Sequence, residues 1–239
     1  MTAYNTNFYL RADEATENSA RLILEHLFKF IPVPNSAVDV GAGVGHWLEA
    51  LAKAGTNEIQ AVEGDWVRKV PLRIPLEKYC FGDFKQPLPL AKTFDLAISL
   101  EVAEHLPERC AEAFVNSLGK LSDCVLFSAA IPCQGGTHHV NEQWQQYWVN
   151  HFARLGFDCF DCIRPLVWNE GRVRVEYRQN MLLFVRHHRV VDFPGLMEVR
   201  QPLIASVLHP DIYRHWGPGL KMSLKFLYKA VVRRLRKVG

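Results

Sequence analysis

Five consecutive residues, Glu101-Val102-Ala103-Glu104-His105, put two carboxylates and an imidazole within one turn of chain. If a helical turn begins there, Glu101 shares a side with Glu104 and His105, its i+3 and i+4 neighbours. Such a set has two chemical uses. It can ligate a divalent cation through carboxylate oxygens and a ring nitrogen. Alternatively, His105 can serve as a general base while a carboxylate fixes its tautomer. Two further imidazoles, His138 and His139, close the loop that starts Ile131-Pro132-Cys133-Gln134-Gly135-Gly136. Either can complete a metal site with Glu101, Glu104 and His105, or take the proton from an acceptor hydroxyl. The plainer reading of the first set is a helix start with favourable N-terminal acids.

Each of these sets follows an apolar run that reads as a strand, Phe94–Leu100 for the first and Val125–Ala130 for the second. Three further strands are expected upstream, over about 37–40, 58–62 and 79–81. The first runs into Gly41-Ala42-Gly43-Val44-Gly45 and then a helix reaching about Lys53. Glycines there remove side chains that would hold a ligand off the backbone, and a turn opening a helix offers N–H groups to an anion. The second strand ends in Glu63, twenty residues beyond Gly43, where such folds set an acid on ribose hydroxyls. The third is followed by Gly82-Asp83-Phe84, an acceptor for an adenine amino group with an aromatic to flank the ring, or simply an Asx turn.

Helical spacing is expected over about 13–30, 107–121 and 142–155, and two more strands over about 158–163 and 181–185. Alternating strands and helices require a mostly parallel sheet covered on both faces. The expected fold is thus α/β, a Rossmann-like seven-stranded sheet whose last strand is antiparallel. Ligands in such sheets sit beyond the carboxyl ends of the strands, where all of these polar residues fall. Residues 1–35 are expected to form a cap helix, with Tyr4, Phe8 and Tyr9 toward an acceptor. Residues 36–190 form the main domain and 191–239 a C-terminal extension. Trp144, Tyr147 and Trp148 form a stripe at helical spacing that can stack on a sugar ring or belong to the core.

The 239 residues carry a net charge of +3, but seven basic residues between Lys221 and Lys237 stand among no acids, and the rest of the chain carries −4. With Leu224, Leu227, Tyr228, Val231 and Leu235 they make a basic amphipathic helix that can lie on an anionic membrane. No nucleic-acid partner is expected, since the basic cluster lacks interleaved recognition motifs. No apolar run approaches the roughly 20 residues needed to span a bilayer. The N-terminus lacks a signal-peptide pattern, so a cytoplasmic address is expected, with the tail at the inner face of the membrane. That compartment argues against disulfides among the six cysteines. Cys159 and Cys162 fall on a strand three apart, on opposite faces, and no redox or metal role is expected of them.

The G-x-G-x-G turn, with Asp39 two residues before it, resembles motif I of the class I S-adenosylmethionine methyltransferases. VDVGAGVGHWL, FDLAISLEVAEHLPE, LFSAAIPCQGGTHHVNEQWQQYW and YRQNMLLFV together resemble a bacterial family of these enzymes found among glycan-modification genes. The similarity covers roughly residues 8–186. It implies S-adenosylmethionine as cofactor, with Gly41, Gly43 and Gly45 at its methionine end. Glu63 would then lie at the ribose and Asp83 at the adenine, and Asp39, Gly64, Phe84 and Leu100 complete the cofactor set. It also implies O-methylation of a sugar or glycan hydroxyl. Methylation of a phosphorylated metabolite or capsule phosphate, or a non-catalytic cofactor-binding scaffold, are the other readings. The Glu-x-x-Glu-His pattern is similar to one in small-RNA terminal 2′-O-methyltransferases. That similarity implies Mg2+ or Mn2+ on Glu101, Glu104, His105 and His139, although their RNA-binding parts have no counterpart here. Ubiquinone-pathway methyltransferases share the pattern, so it does not specify the acceptor.

Overall fold

The computed structural model describes residues 6–199 and 206–216. The basic segment from Lys221 onward, and Tyr4, lie outside these residues. Seven strands, β1 (Ser36–Val40), β2 (Glu58–Glu63), β3 (Tyr79–Phe81), β4 (Leu96–Leu100), β5 (Cys124–Ser128), β6 (Phe157–Phe160) and β7 (Leu182–Arg186), form one sheet in the order β3-β2-β1-β4-β5-β7-β6. β1 to β5 pair in parallel, and β7 enters antiparallel between β5 and β6. The expected seven-stranded, mostly parallel α/β architecture is the one observed.

Helices α1 (Thr6–Leu27), α2 (His46–Lys53), α3 (Ala111–Leu121) and α4 (Gln145–Arg154) carry most of the covering surface. Strand alternation divides the core between the two faces. Leu96 and Ile98 of β4 pack with Ile23 and Leu27 of α1 and with Leu48 and Leu51 of α2. Ala97 between them points the other way, toward Phe114 and Leu118 of α3 and Phe152 of α4. The strand order reverses at β1: β2 and β3 are added on one side of it, and β4 and β5 on the other. The carboxyl ends of β1 and β4 therefore flank the crevice where an open α/β sheet takes a ligand. No described helix is long and apolar enough to cross a membrane.

The boundaries shift where side chains compete for the backbone. α1 is expected over about 13–30 but runs from Thr6 to Leu27, and the amide of Ile31 closes back on the Leu27 carbonyl ahead of Pro32. A short 3-10 turn over Glu108–Cys110 precedes α3, so the helix proper starts after Pro107 rather than at it. α4 begins at Gln145, not at Glu142, because the Glu142 carboxylate is engaged by amides of the preceding loop. β6 ends at Phe160, since Asp161 turns out to pair with Arg164. Three short helices, α5 (Arg164–Val167), α6 (Val175–Asn180) and α7 (Pro194–Met197), were not expected at all, being four to six residues long. A last helix, α8 (Pro210–Trp216), follows.

Cys124 and Cys162 are free, buried thiols whose pKa burial raises to about 12. Burial raises that of Cys159 as well. Trp148 is 1% exposed and packs on Phe127. Tyr147 stacks edge-on against it, so the aromatic stripe of α4 belongs largely to the core, and the surface-exposed Trp144 does not line the cavity described next.

Candidate functional site

A cavity of about 890 Å³ opens at the carboxyl edge of the sheet, above the β1/β4 crevice. Its volume falls within the range typical of small-molecule sites, about 300–1,000 Å³. Gly41, Gly43, Glu63, Gly64, Asp83, Phe84, Leu100, Glu101 and His105 all line it. Asp39, Gly45, Glu104 and His139, also expected at the site, lie behind this surface.

The glycine turn is held from below. Gly41 has φ +91 and a Cβ there would lie 2.2 Å from Val102 Cγ2, so the two strand ends approach closely only because the side chain is missing. Four of the turn's five amides are bonded within the protein. Gly41 and Ala42 donate to the Val62 carbonyl, Gly45 to the Ala42 carbonyl, and Gly43 to Glu63 Oε2 at 2.8 Å. The turn supplies a close backbone surface. Gly45 caps α2 at φ +98. Asp39 sits inside β1, 2% exposed, and burial followed by the charge of Glu63 pushes its pKa well above the usual carboxylate range.

Glu63 ends β2 facing the cavity, with Oε1 accepting from the Gly64 amide at 2.8 Å. Burial raises its pKa and the two backbone donors oppose that rise. Across β3, Asp83 accepts from the Lys85 amide at 3.0 Å and lines the cavity. The turn and ligand readings of Asp83 are thus compatible. Trp66, Phe81 and Phe84 add aromatic surface at this end. Sequence reasoning missed Trp66, which follows a strand end without belonging to any periodic pattern.

The acid–imidazole set behaves differently from its expected geometry. Glu101 adopts φ +56, a region that residues with side chains occupy rarely, and the following turn, Ala103–His105, is a 3-10 turn. The carboxylate of Glu101 is held by two side-chain amides. Gln134 Nε2 donates to it at 2.9 Å and Asn180 Nδ2 at 3.2 Å. Burial and the charge of Glu176 raise its pKa, against these amide donors. Gln134 and Asn180 are functional-site residues the sequence did not reveal, since the helix carrying Asn180 is too short to show a period.

Glu104, His105 and His139 do converge, with one ligand atom from each within 4.8 Å of the others. Glu104 is wholly buried, and neither of its carboxylate oxygens has a hydrogen-bond partner. His139 Nε2 lies 4.0 Å from Glu104 Oε1, and its Nδ1 meets Glu142 Oε1 at 3.1 Å. A proton on Nδ1, donated to that carboxylate, leaves the Nε2 lone pair facing Glu104. The His105 and His139 rings stand edge to face with centroids 4.9 Å apart. Burial, followed by the neighbouring His139, holds the pKa of His105 at about 4, so its ring is neutral at pH 7. Burial and the charge of Glu101 raise Glu104 well above the usual range.

A buried carboxylate with empty acceptor positions beside two neutral-capable imidazoles fits a divalent cation. Two ring nitrogens make the donor set softer than Mg2+ ordinarily takes. Glu101 stands beside this group and is not one of the three converging side chains.

The loop that brings His139 in is tied by backbone-amide hydrogen bonds at both ends. Glu142 accepts from the amides of Cys133 at 2.9 Å and Gly135 at 2.6 Å, while Val140 and Asn141 donate to the Glu104 carbonyl. Gly136 has φ +155 and a Cβ there would fall 2.2 Å from His139 Nε2. His138, at φ +60, lines the cavity in place of His139. The remaining wall, Thr16, His46, Arg174, Glu176 and Tyr177, was missed from sequence. Its last three residues lie between β6 and β7, where no pattern assigned an element.

The sequence profile of a family described as a methyltransferase domain matches residues 12–165. No curated protein sequence matches significantly. Among solved structures, DesVI from Streptomyces venezuelae superposes with a TM-score of 0.57 at 15% identity, covering 75% of this chain and 95% of that one. CalS10, an amino pentose methyltransferase from Micromonospora echinaspora, gives 0.53 at 14% identity, covering 78% and 99%. The methyltransferase domain of a bacterial CtHen1 gives 0.51 at 17% identity, covering 71% and 99%. At these identities the likeness is one of fold.

Proposed function

The chain belongs to the methyltransferase-domain family, a class of S-adenosylmethionine-dependent enzymes, and from that premise we propose that it methylates a hydroxyl oxygen of a sugar or glycan. The observation that carries the reading is the junction, in one cavity, of a nucleoside-sized wall with a neutral His105 that neighbours His139 and Glu104. When bound, S-adenosylmethionine supplies an electrophilic methyl group on a sulfonium. Transfer is an in-line displacement, so positioning does most of the work.

Glu63 would accept from the ribose hydroxyls, Asp83 from the adenine amino group, and Phe84 would flank the base. Gly41 and Gly43 would let the ligand lie against the backbone, with Leu100 below it. Glu104, His105 and His139 would hold a divalent cation, Mg2+ or Mn2+. That ion would lower the pKa of an acceptor hydroxyl. In its absence His105 or His139, held in one tautomer by Glu142, would receive the hydroxyl proton. Glu101, fixed by Gln134 and Asn180, would accept a hydrogen bond from the acceptor and orient it. The basic segment from Lys221 to Lys237 would bring the domain to an anionic surface where membrane-bound glycans are assembled.

The test is transfer of isotopically labelled methyl from S-adenosylmethionine to nucleotide sugars and extracted glycans, with and without EDTA. Labelled sugar ether that disappears on chelation and returns with Mn2+ or Mg2+ is the expected result. Transfer indifferent to EDTA would remove the metal and leave a histidine base. Label found on phosphate would overturn the hydroxyl acceptor.

A further inference from the structure

The nucleoside wall, formed by Glu63, Gly64, Asp83 and Phe84, occupies one end of the cavity. Arg174, Glu176 and Tyr177 form another wall. The Tyr177 ring meets Trp47 edge-on at 5.4 Å, which sets that wall over the first turn of α2, directly after the glycine turn. From this geometry we infer that Arg174 and Glu176 read the amino-acid end of S-adenosylmethionine, the guanidinium taking the carboxylate and Glu176 the ammonium. The inference rests on the cofactor reading above and adds two residues to it.

Its first ground is the accounting of donors at the turn. A carboxylate leaving water needs hydrogen-bond donors. Four of the five amides of the turn, those of Gly41, Ala42, Gly43 and Gly45, are spent inside the protein. The second ground is the state of Arg174. Its Nε and Nη2 contact Glu176 at 3.4 and 3.3 Å, and Nη1 contacts Thr16 Oγ1 at 3.5 Å. Each contact lies at the outer limit of a hydrogen bond. Arg164 shows what a committed pair looks like in the same chain, holding Asp161 at 2.8 and 2.6 Å.

A guanidinium presents five N–H groups in a planar fork that suits a carboxylate in bidentate fashion. Arg174 therefore keeps donor capacity toward the cavity, although it is only 33% exposed. Glu176, 22% exposed beside it, supplies the complementary charge. The ligand end in question carries one carboxylate and one ammonium, and the wall carries one partner for each.

Isothermal titration with two ligands separates this role from a general one. S-adenosylhomocysteine has the amino-acid end; 5′-methylthioadenosine is the same nucleoside thioether without it. The wild-type protein is expected to bind S-adenosylhomocysteine more tightly. Arg174→Gln should weaken S-adenosylhomocysteine by about tenfold to a hundredfold, the range for a lost charge-assisted contact, and leave 5′-methylthioadenosine unchanged. Glu176→Gln should act in the same direction. Retained 5′-methylthioadenosine binding shows in the same experiment that the variant cavity is folded. Unchanged S-adenosylhomocysteine affinity in Arg174→Gln, or an equal loss for both ligands, would overturn the inference. Equal wild-type affinity for the two ligands would overturn it alone, whereas a wild-type protein that binds neither would overturn the cofactor reading together with it.

Discussion

Asp39 and Glu101 show how much of this site is set by where single carboxylates are buried. Asp39 is surrounded by strand β1 and its neighbours, and its pKa is raised by burial and by Glu63. Unfolded, an aspartate titrates near about 4. The native state therefore binds the extra proton above that pH. The contribution of Asp39 to stability is complete below about pH 4 and is lost as pH rises toward its folded pKa. Asp39→Asn removes the penalty, so thermal melts should show a Tm higher by a few degrees at pH 7, with the gap narrowing toward pH 5. An unchanged or lower Tm at pH 7 would contradict this. Glu101 was legible as a polar residue after a strand, but its direction was not. Its left-handed backbone depends on contacts from Gln134 and Asn180, 33 and 79 residues away in sequence, and no local pattern encodes them. Arg174 escaped notice for the same reason.

At the scale of elements, apolar runs bounded by glycine, proline or acid turns identified every strand. Strands in a sheet buried on both faces are read from composition alone. The chain between β6 and β7 was illegible because its helices are shorter than the window over which a 3.6-residue period can be seen. The loop from Ile131 to Trp144 was legible only as glycine-rich. The structure ties it down through Glu142, which serves the loop amides and His139 together. Gly136 is present for space, not for mobility. Gly136→Ala would put a methyl group where the His139 ring stands. Methyl transfer should fall by about tenfold to a hundredfold, a cost typical of displaced catalytic groups, while S-adenosylhomocysteine affinity stays near wild type. Full activity in this variant would mean that His139 is not needed where it stands.

For the whole molecule, the sheet brings residues from five strand ends to one cavity, and the glycine turn is only one part of it. Glycines 41 and 43 permit close approach, Glu63 and Asp83 provide acceptors, and the β4 and β5 ends provide the acid and imidazole groups. The segment from Lys221 onward stands outside the described residues, and its reading as a surface-binding tail rests on charge and spacing. Removing residues after Gly219 should abolish co-sedimentation with vesicles containing anionic lipid and leave binding of S-adenosylhomocysteine intact. Sedimentation that persists without the tail would end that reading.

The claim on which the rest depends is that this cavity performs methyl transfer and does not merely hold a nucleoside. Its most direct test is the turnover of His139→Ala, measured with labelled S-adenosylmethionine beside a titration of S-adenosylhomocysteine. The expected result is a fall in kcat of about a hundredfold or more, from loss of the ligand that completes the cation site with Glu104 and His105, with cofactor affinity unchanged within about twofold because His139 does not line the cavity. Turnover equal to wild type would contradict the account and place the chemistry elsewhere.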